Sequence, residues 1–467
     1  MPNLLPDLIS IPHKPLGNWT WRTALLLLYI EFPLLSPLGS AYCHAQSDQT
    51  LPNIIVIFSD DQGMHDIGCY GSEIPTPAID RMAKEGMRFT QFYAASSICT
   101  PSRYGLLTGR YPHRSHDNLL GALMFLEERD QERGIRGHES TYVGQLKKVG
   151  YQTALVGKWH LGHGAKEFWP TKHGFDSFFG HTGGCVDFFT LRYGNRPDWY
   201  RNRTIVETNG YATDVITNEA IQILNQPRAG NKPLYLHIAY NAPHFGKGWN
   251  EDKQATENIM QPKPDDLKKA ANIKDPLRRS FAAKVIGMDQ SIGKLLNAVD
   301  QLGMTDNTLV IFMTDHGGDP KYGGSNLPFR GGKATLFEGG IRVPCIARWP
   351  GKIKADSVSD QPWGAIDIHA TFSELTDLKK ERTDGISMLP TLLGKSTDAT
   401  RTFIWKTGNH GSLQRKSWKA VRQGDWKWVQ QPGQKDMLFD LRNDPLEAHN
   451  LANTNTDVLH QLKKLSP

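Results

Sequence analysis

Four short runs along the chain are apolar at nearly every position: "NIIVIF" (Asn53 to Phe58), "TALV" (Thr153 to Val156), "LYLHIAY" (Leu234 to Tyr240) and "TLVIFM" (Thr308 to Met313). A strand with one wet face alternates apolar and polar residues, so runs without alternation predict strands covered on both faces, as in a parallel sheet. Between them lie stretches with helical spacing. "TPAIDRMAKEG" offers Thr76 as a cap, Pro77 in the first turn and Gly86 as a stop, and "RRSFAAKVIGMDQSIGKLLNAVDQLG" runs up to Gly303. The expected fold class is α/β, a large, mostly parallel sheet sandwiched by helices. Beyond residue 395 the pattern changes. "TFIWKT", "WKAVRQGDWKWVQQ" and "DMLFDL" are short, Trp-rich and partly alternating, separated by Gly-Asp and Pro-Gly turns, which predicts a small antiparallel sheet. The expected organisation is a leader over residues 1–45, a main domain over 46–394 and a C-terminal antiparallel-sheet subdomain over 395–467.

The leader reading rests on Lys14 and Arg22 ahead of "ALLLLYI" and on "CHAQ", a small-x-small cleavage site after Ala45, the marks of a secretory signal peptide. The apolar run is too short to span a bilayer. An exported protein, periplasmic or secreted, is expected, with no stable membrane association. Composition agrees with a globular chain: 39% of residues are hydrophobic and 22% charged. The net charge of +6 suits an anionic substrate, and no nucleic-acid partner is expected. Four cysteines lie beyond the leader, Cys69, Cys99, Cys185 and Cys345, too few for a disulfide framework.

The residues that follow each apolar run carry the chemistry. "NIIVIF" leads into Ser59-Asp60-Asp61, "TALV" into Gly157-Lys158-Trp159-His160, "LYLHIAY" into Asn241-Ala242-Pro243-His244, and "TLVIFM" into Thr314-Asp315-His316. Open α/β sheets bind ligands at the carboxyl ends of their strands, so these groups should meet in one crevice. Asp60, Asp61 and Asp315 would then crowd three carboxylates together, which requires a hard cation such as Ca2+ or Mg2+. His316 can complete that shell, although imidazole is a softer ligand. Lys158, His160, His244, Arg103 and Lys333 in "FRGGKATLFEGG" can bind a tetrahedral anion and protonate a leaving oxygen. Cys99 fits poorly with them. In "SSICTPSRYGLLTGR" Pro101 reads as the first residue of a helix, with Arg103 one turn after the thiol, yet a thiolate is the wrong ligand for a hard cation.

"CTPSR" followed by "GLLTGR" resembles the signature of the formylglycine-dependent (type I) sulfatases, arylsulfatase-like proteins in which this Cys is oxidised to formylglycine. "PNIIVIFSDDQG", "GKWHLG", "NAPH", "TDHGG", "GGKATLFEGGIRVP" and "AVRQGDWKWV" look like family blocks in family order. The resemblance implies an alkaline-phosphatase-like fold and hydrolysis of sulfate esters, commonly on carbohydrates. It implies Ca2+ rather than Mg2+, held by Asp60, Asp61, modified Cys99, Asp315 and His316. It also implies that Arg103 steadies the aldehyde hydrate, Lys158 and Lys333 hold the sulfate, and Asp315 helps activate the attacking hydroxyl. His244 would be the acid for the leaving alcohol, and His160 would help regenerate the aldehyde. A formylglycine-generating enzyme is the partner implied in maturation, and a sulfated small molecule or glycan the partner in turnover.

Two positions depart from the pattern: many members have Asn where this chain has His316, and "PHFG" places Gly246 where Pro is common, which predicts a looser loop. Two other readings fit the same residues. A phosphate or phosphonate ester hydrolase would use the same cationic clamp, but phosphate monoesters usually invite a second metal, for which the sequence offers no further carboxylate and His cluster. A non-catalytic binder of sulfated glycans would keep the fold without turnover. Specificity is expected from the stretches Gly164 to Arg203 and Gly246 to Pro276.

Overall fold

The structure is a computed structural model that describes residues 51–378, 381–395, 400–408 and 417–467. The expected signal peptide lies outside these residues. No helix among them is long and apolar enough to cross a membrane.

The main sheet has 11 strands. Those that matter for the site are β1 (Asn53–Asp60), β2 (Met87–Tyr93), β3 (Gln152–Lys158), β4 (Ser177–His181), β5 (Leu234–Pro243), β6 (Thr308–Thr314) and β7 (Arg342–Arg348). Their spatial order is β2-β7-β6-β1-β5-β3-β4. The stretch from β6 to β4 is parallel, whereas β7 runs antiparallel to both β6 and β2. All four apolar runs are therefore neighbouring parallel strands. β1 is central, Asn53 to Ser59 pairing with Thr308 to Thr314 on one side and Ile54 to Phe58 with Tyr235 to Ala239 on the other.

The lack of alternation in these runs has the expected cause. Ile54, Val56 and Phe58 of β1 pack into one buried cluster and Ile55 and Ile57 into another, and β6 divides likewise, with Leu309, Ile311 and Met313 on the first face and Val310 and Phe312 on the second. Helix α1 (Pro77–Lys84), α3 (Ala212–Asn225) and α4 (Pro276–Gln301) cover the second face through Ile79, Ile216, Ile223, Ile292 and Leu295. Helix α2 (Cys99–Thr108) covers the first with Tyr104 and Leu107. The start of α4 is set by Asp275, whose carboxylate accepts the Arg278 N–H at 2.7 Å, and by Pro276 in the first turn. Thr76 stands at the N-cap of α1 as expected, but its hydroxyl bonds no helix N–H; it accepts the Gly68 N–H and donates to Asp80.

The C-terminal sheet has the expected strands: β8 (Thr402–Lys406), β9 (Lys419–Gln423), β10 (Trp426–Gln430) and β11 (Met437–Asp440), antiparallel in sequence order. Both of its faces are buried. Phe403, Trp405, Ala420, Val429 and Phe439 join the first core cluster of the main sheet. Val421, Trp428 and Leu438 pack with Leu462 of a closing helix, α5 (Thr456–Lys464).

Candidate active site

Because β1, β3, β5 and β6 are parallel, their carboxyl ends share one edge, and the chain there turns sharply. Asp61 and His160, just past the ends of β1 and β3, both have left-handed backbones, with φ of 63° and 58°. Such conformations cost a side-chain-bearing residue about 1–2 kcal/mol and mark positions fixed by their surroundings. Gly157 in β3 has φ 105°, and a Cβ there would come within 2.0 Å of the Ala239 carbonyl, so only glycine lets Lys158 approach β5 this closely. Helix α2 begins at Cys99, which puts Pro101 third in the helix rather than first and leaves Arg103 one turn on. Lys333 arrives on a loop pinned at two points: its own N–H donates to Gly318 and that of Ala334 donates to Ser97.

The structure brings all ten expected residues together. Lys158 Nζ donates to Asp60 Oδ2 at 2.6 Å, and Lys333 Nζ donates to both Asp61 oxygens at 2.6 and 2.7 Å. Arg103 donates to Asp315 Oδ2 at 3.4 Å and to the Lys158 carbonyl at 3.2 Å, and lies 3.7 Å from Asp60. Cys99 Sγ is 3.2 Å from His316 Nε2. His244 Nε2 is 3.5 Å from Asp61. Of the ten, only Lys333 is more than slightly exposed.

Backbone carbonyls fix the imidazoles. A carbonyl only accepts, so the contacts of His316 Nδ1 with Gly317 O (3.0 Å), His244 Nδ1 with Phe245 O (2.8 Å) and His160 Nε2 with Leu123 O (2.8 Å) place a proton on each of those nitrogens. The other nitrogen of each ring then faces the cluster: Nε2 of His316 and His244, and Nδ1 of His160, which has no hydrogen-bond partner among the described residues.

The electrostatics describe a site short of positive charge at its carboxylates. Burial pushes Asp61 up to about 7 against the pull of Lys333 and His316, and burial and Asp315 raise Asp60. Burial opposes the ionisation of Asp315, but His316, Arg103 and Lys158 hold it below the usual carboxylate range. His316 is pushed up to about 10, its burial outweighed by Asp315, Cys99 and Asp61. Burial would raise the Cys99 thiol, yet Lys158, Lys333 and His316 hold it well below its ordinary value. Burial lowers both His160 and His244, with Lys333 and Lys158 adding to the effect on His244.

These residues fit a hard cation. The ligand atoms of Asp60, Cys99, Asp315 and His316 all lie within 4.8 Å of one another. Asp60 Oδ1 is buried without a hydrogen-bond donor among the described residues, and the hydrogen bond from His316 Nδ1 to a carbonyl is the usual way of aiming the other nitrogen at a metal. The sulfur of Cys99 is the one donor that does not suit such an ion.

Comparison with known proteins decides the family. Residues 52–378 match the Sulfatase family, and residues 332–465 match the C-terminal region of N-sulphoglucosamine sulphohydrolase. The chain belongs to the sulfatase family. It is 35% identical over 437 residues to N-acetylgalactosamine-6-sulfatase of Rattus norvegicus, covering 86% of this chain and 79% of that protein. It is 31% identical to arylsulfatase J of Mus musculus, covering 88% and 74% of the two. Among solved structures, Ps i-CgsB in complex with k-i-k-neocarrahexaose superposes with a TM-score of 0.78 at 31% identity, covering 89% of this chain and 92% of that one. This sulfatase is a sulfuric ester hydrolase.

A cavity of about 250 Å³ opens over the sulfatase site, reaching Cys99, His160, His244 and Lys333. Both stretches expected to set specificity contribute to it, Gly184, Cys185 and Tyr193 from the first and Lys247 and Asn258 from the second. Gly246, expected to loosen its loop, instead opens a paired strand of the hairpin Gly246–Asn250 and Ala255–Ile259, where a Cβ would come within 1.9 Å of Gln261 Oε1. Sequence reasoning missed the wall at Ala122 to Phe125, which carries no charge or motif. It also missed Lys284, whose buried ammonium donates to the His244 carbonyl at 2.5 Å and lies 3.3 Å over the Phe188 ring. A lysine within the apolar stretch "FAAKVIGM" of α4 was the available signal. Cys69, Cys99, Cys185 and Cys345 are all free.

Proposed function

We propose that this sulfatase hydrolyses sulfate esters of carbohydrate, with Cys99 oxidised to formylglycine and Ca2+ bound by Asp60, Asp61, residue 99, Asp315 and His316. The observation that carries the reading is the convergence of Asp60, Cys99, Asp315 and His316 within 4.8 Å, ringed by Arg103, Lys158 and Lys333. Ca2+ is favoured over Mg2+ because a cage built almost wholly from protein ligands suits the larger ion, whereas Mg2+ tends to keep several waters. The carbohydrate assignment draws on the N-acetylgalactosamine-6-sulfatase relatives and on the neocarrahexaose complex of Ps i-CgsB.

When present, the ion would offset the carboxylate charge and the hydrated aldehyde would offer a hydroxyl as nucleophile. Lys158 and Lys333 are the cations that hold the sulfate oxygens, Lys333 on Asp61 at the cavity floor and Lys158 buried on Asp60 behind it. Asp315, kept ionised by His316 and Arg103, takes the proton of the attacking hydroxyl as the new S–O bond forms. His244 gives a proton from Nε2 to the leaving alcohol as the old S–O bond breaks. Its low proton affinity makes it a strong acid, and the arriving sulfate, an anion beside Lys158 and Lys333, helps it to be charged first. His160 has a bare Nδ1 that can accept a proton when the site resets.

The proposal is tested by mass spectrometry of the peptide containing residue 99. Formylglycine is about 18 Da lighter than Cys, a change absent from the ordinary thiol oxidation ladder. An intact thiol in fully active protein overturns it. The same reading includes a formylglycine-generating enzyme in maturation and export with loss of residues 1–45, which N-terminal sequencing of the exported protein, starting near Gln46, would check.

A further inference from the structure

The cavity above the site is unusual in its charge. Its 14 lining residues include no Asp or Glu, and two are lysines, Lys333 at the floor and Lys247 on the hairpin. The two are held differently. Lys333 is ion-paired to Asp61, whereas Lys247 Nζ has no carboxylate partner among the described residues; it donates to Asn258 Oδ1 at 2.9 Å and lies 5.6 Å from the centre of the Tyr193 ring. The placement of Lys247 is built. It pairs with Asn258 across the hairpin, its own carbonyl accepts the Gly194 N–H, and Asn258 in turn donates to the Tyr322 hydroxyl at 2.8 Å. Beside it the wall is aromatic, with Tyr193 and Phe125 centred 4.9 Å apart and tilted by 36°, an apolar surface of the kind that packs against a sugar ring.

We propose that Lys247 binds a second anionic group of the substrate, a sulfate or carboxylate other than the sulfate removed, and so sets a preference for polyanionic sugars. This rests on the carbohydrate reading above. An unpaired ammonium in a cavity free of carboxylates attracts an anion, and Lys333 and Lys158 already serve the reacting sulfate. The second anion belongs either to the same ring or to its neighbour, and both present the same chemistry to Lys247.

The test compares wild type, Lys247→Met and Lys247→Arg on three probes: N-acetylgalactosamine 6-sulfate, its 4,6-disulfate, and a disaccharide that joins the 6-sulfated sugar to glucuronate. Lys247→Met should lose about 10- to 100-fold more kcat/KM on a dianionic probe than on the monosulfate, the worth of one charge-assisted hydrogen bond, mainly through KM. Lys247→Arg should restore most of it. Which dianionic probe responds tells whether the partner anion is on the same ring or the next. Equal losses on all three probes, or none, overturn the inference. Wild-type turnover of 4-nitrophenyl sulfate with none of the sugars cleaved overturns the carbohydrate reading itself, an outcome visible before any variant is made. Melting temperatures of the three proteins separate a folding defect from a binding one.

Discussion

Two clusters of buried charge lie in this sulfatase, and only one of them is a site. At the carboxyl edge of the sheet, three aspartates meet Arg103, Lys158, Lys333 and His316. Some distance along the chain, Lys427 of β10 lies 2.8 Å from both Glu338 and Glu447, all three fully buried. Tyr93 donates to Glu338 at 2.6 Å, Arg422 bonds the Tyr93 hydroxyl, and the Glu338 N–H donates to Glu447. The second cluster bolts the C-terminal sheet to the main body. Both contain paired acids and bases with displaced proton affinities, so burial and pairing alone do not identify function. What differs is the opening: Cys99, His160, His244 and Lys333 of the first line a cavity, beside which Asp60 Oδ1 lacks a donor and Arg103 Nε an acceptor among the described residues, whereas the second, where Glu447 Oε1 is likewise unsatisfied, is sealed between the two sheets. Unspent polar groups beside an opening are what a ligand can use.

The sharpest way to break this distinction is to remove a carboxylate from each side. Asp315→Ala and Asp61→Ala should each lose bound Ca2+ by elemental analysis and more than about 100-fold of activity, beyond the loss typical of residues that only support a metal ligand. Unchanged metal content in both would leave the first cluster no more a cation site than the second. His244→Ala should cost roughly 100- to 10,000-fold on a sugar sulfate, with a much smaller loss on nitrophenyl sulfate, whose leaving group needs little protonation. Equal losses on the two esters, with S–O cleavage limiting both, would remove His244 from the acid role.

Lys427→Met addresses the second cluster. It strands Glu338 and Glu447 and should destabilise the fold by about 3–5 kcal/mol in denaturant titrations, while metal content per folded molecule is retained. Loss of metal in the folded variant would join the two clusters into one functional unit. The smallest effect concerns pH. Burial, with Glu338 adding to it, raises Glu447 to about 7 against the pull of Lys427. A carboxyl raised on folding contributes stability that is present below its unfolded value and is lost as pH climbs through its folded one. Between about pH 4.5 and 7 the melting temperature of Glu447→Gln should therefore gain on wild type, reflecting about 1–3 kcal/mol. A pH-independent difference would contradict the raised proton affinity of Glu447.

The parts legible in the sequence were those where one physical rule acts alone. Two buried faces erase alternation, so β1, β3, β5 and β6 were readable, and parallel strands then send Asp60, Lys158, His244 and Asp315 to one edge. The antiparallel flank β2 and β7 was not, because "MRFTQFY" and "RVPCIAR" mix polar and apolar positions with no clean period. Lys427 shows a subtler failure. In "WKW" it reads as the solvent side of an alternating strand, yet it shares its face with Val429, which packs against the main body, while Trp428 on the other face packs against α5. A sheet covered on both sides leaves no wet face for the alternation to report. Lys284 was hidden for the opposite reason, its target being a backbone carbonyl, which no sequence pattern displays.

The topology also sets a timetable. Ser102, one turn into α2, bonds the Asp315 carbonyl across 213 positions of sequence. Synthesis at about 5–20 residues per second puts roughly 10–40 seconds between the two. Until β6 is made, β1 lacks one of its two neighbours and the Cys99 segment lacks the Asp315 carbonyl that Ser102 bonds; in the folded chain Cys99 is only 3% exposed. An enzyme acting on that thiol must work within this interval or on a chain kept from closing. The stretch of chain between α2 and the end of β6 is thus also a length of time during which residue 99 is not yet enclosed by Asp315.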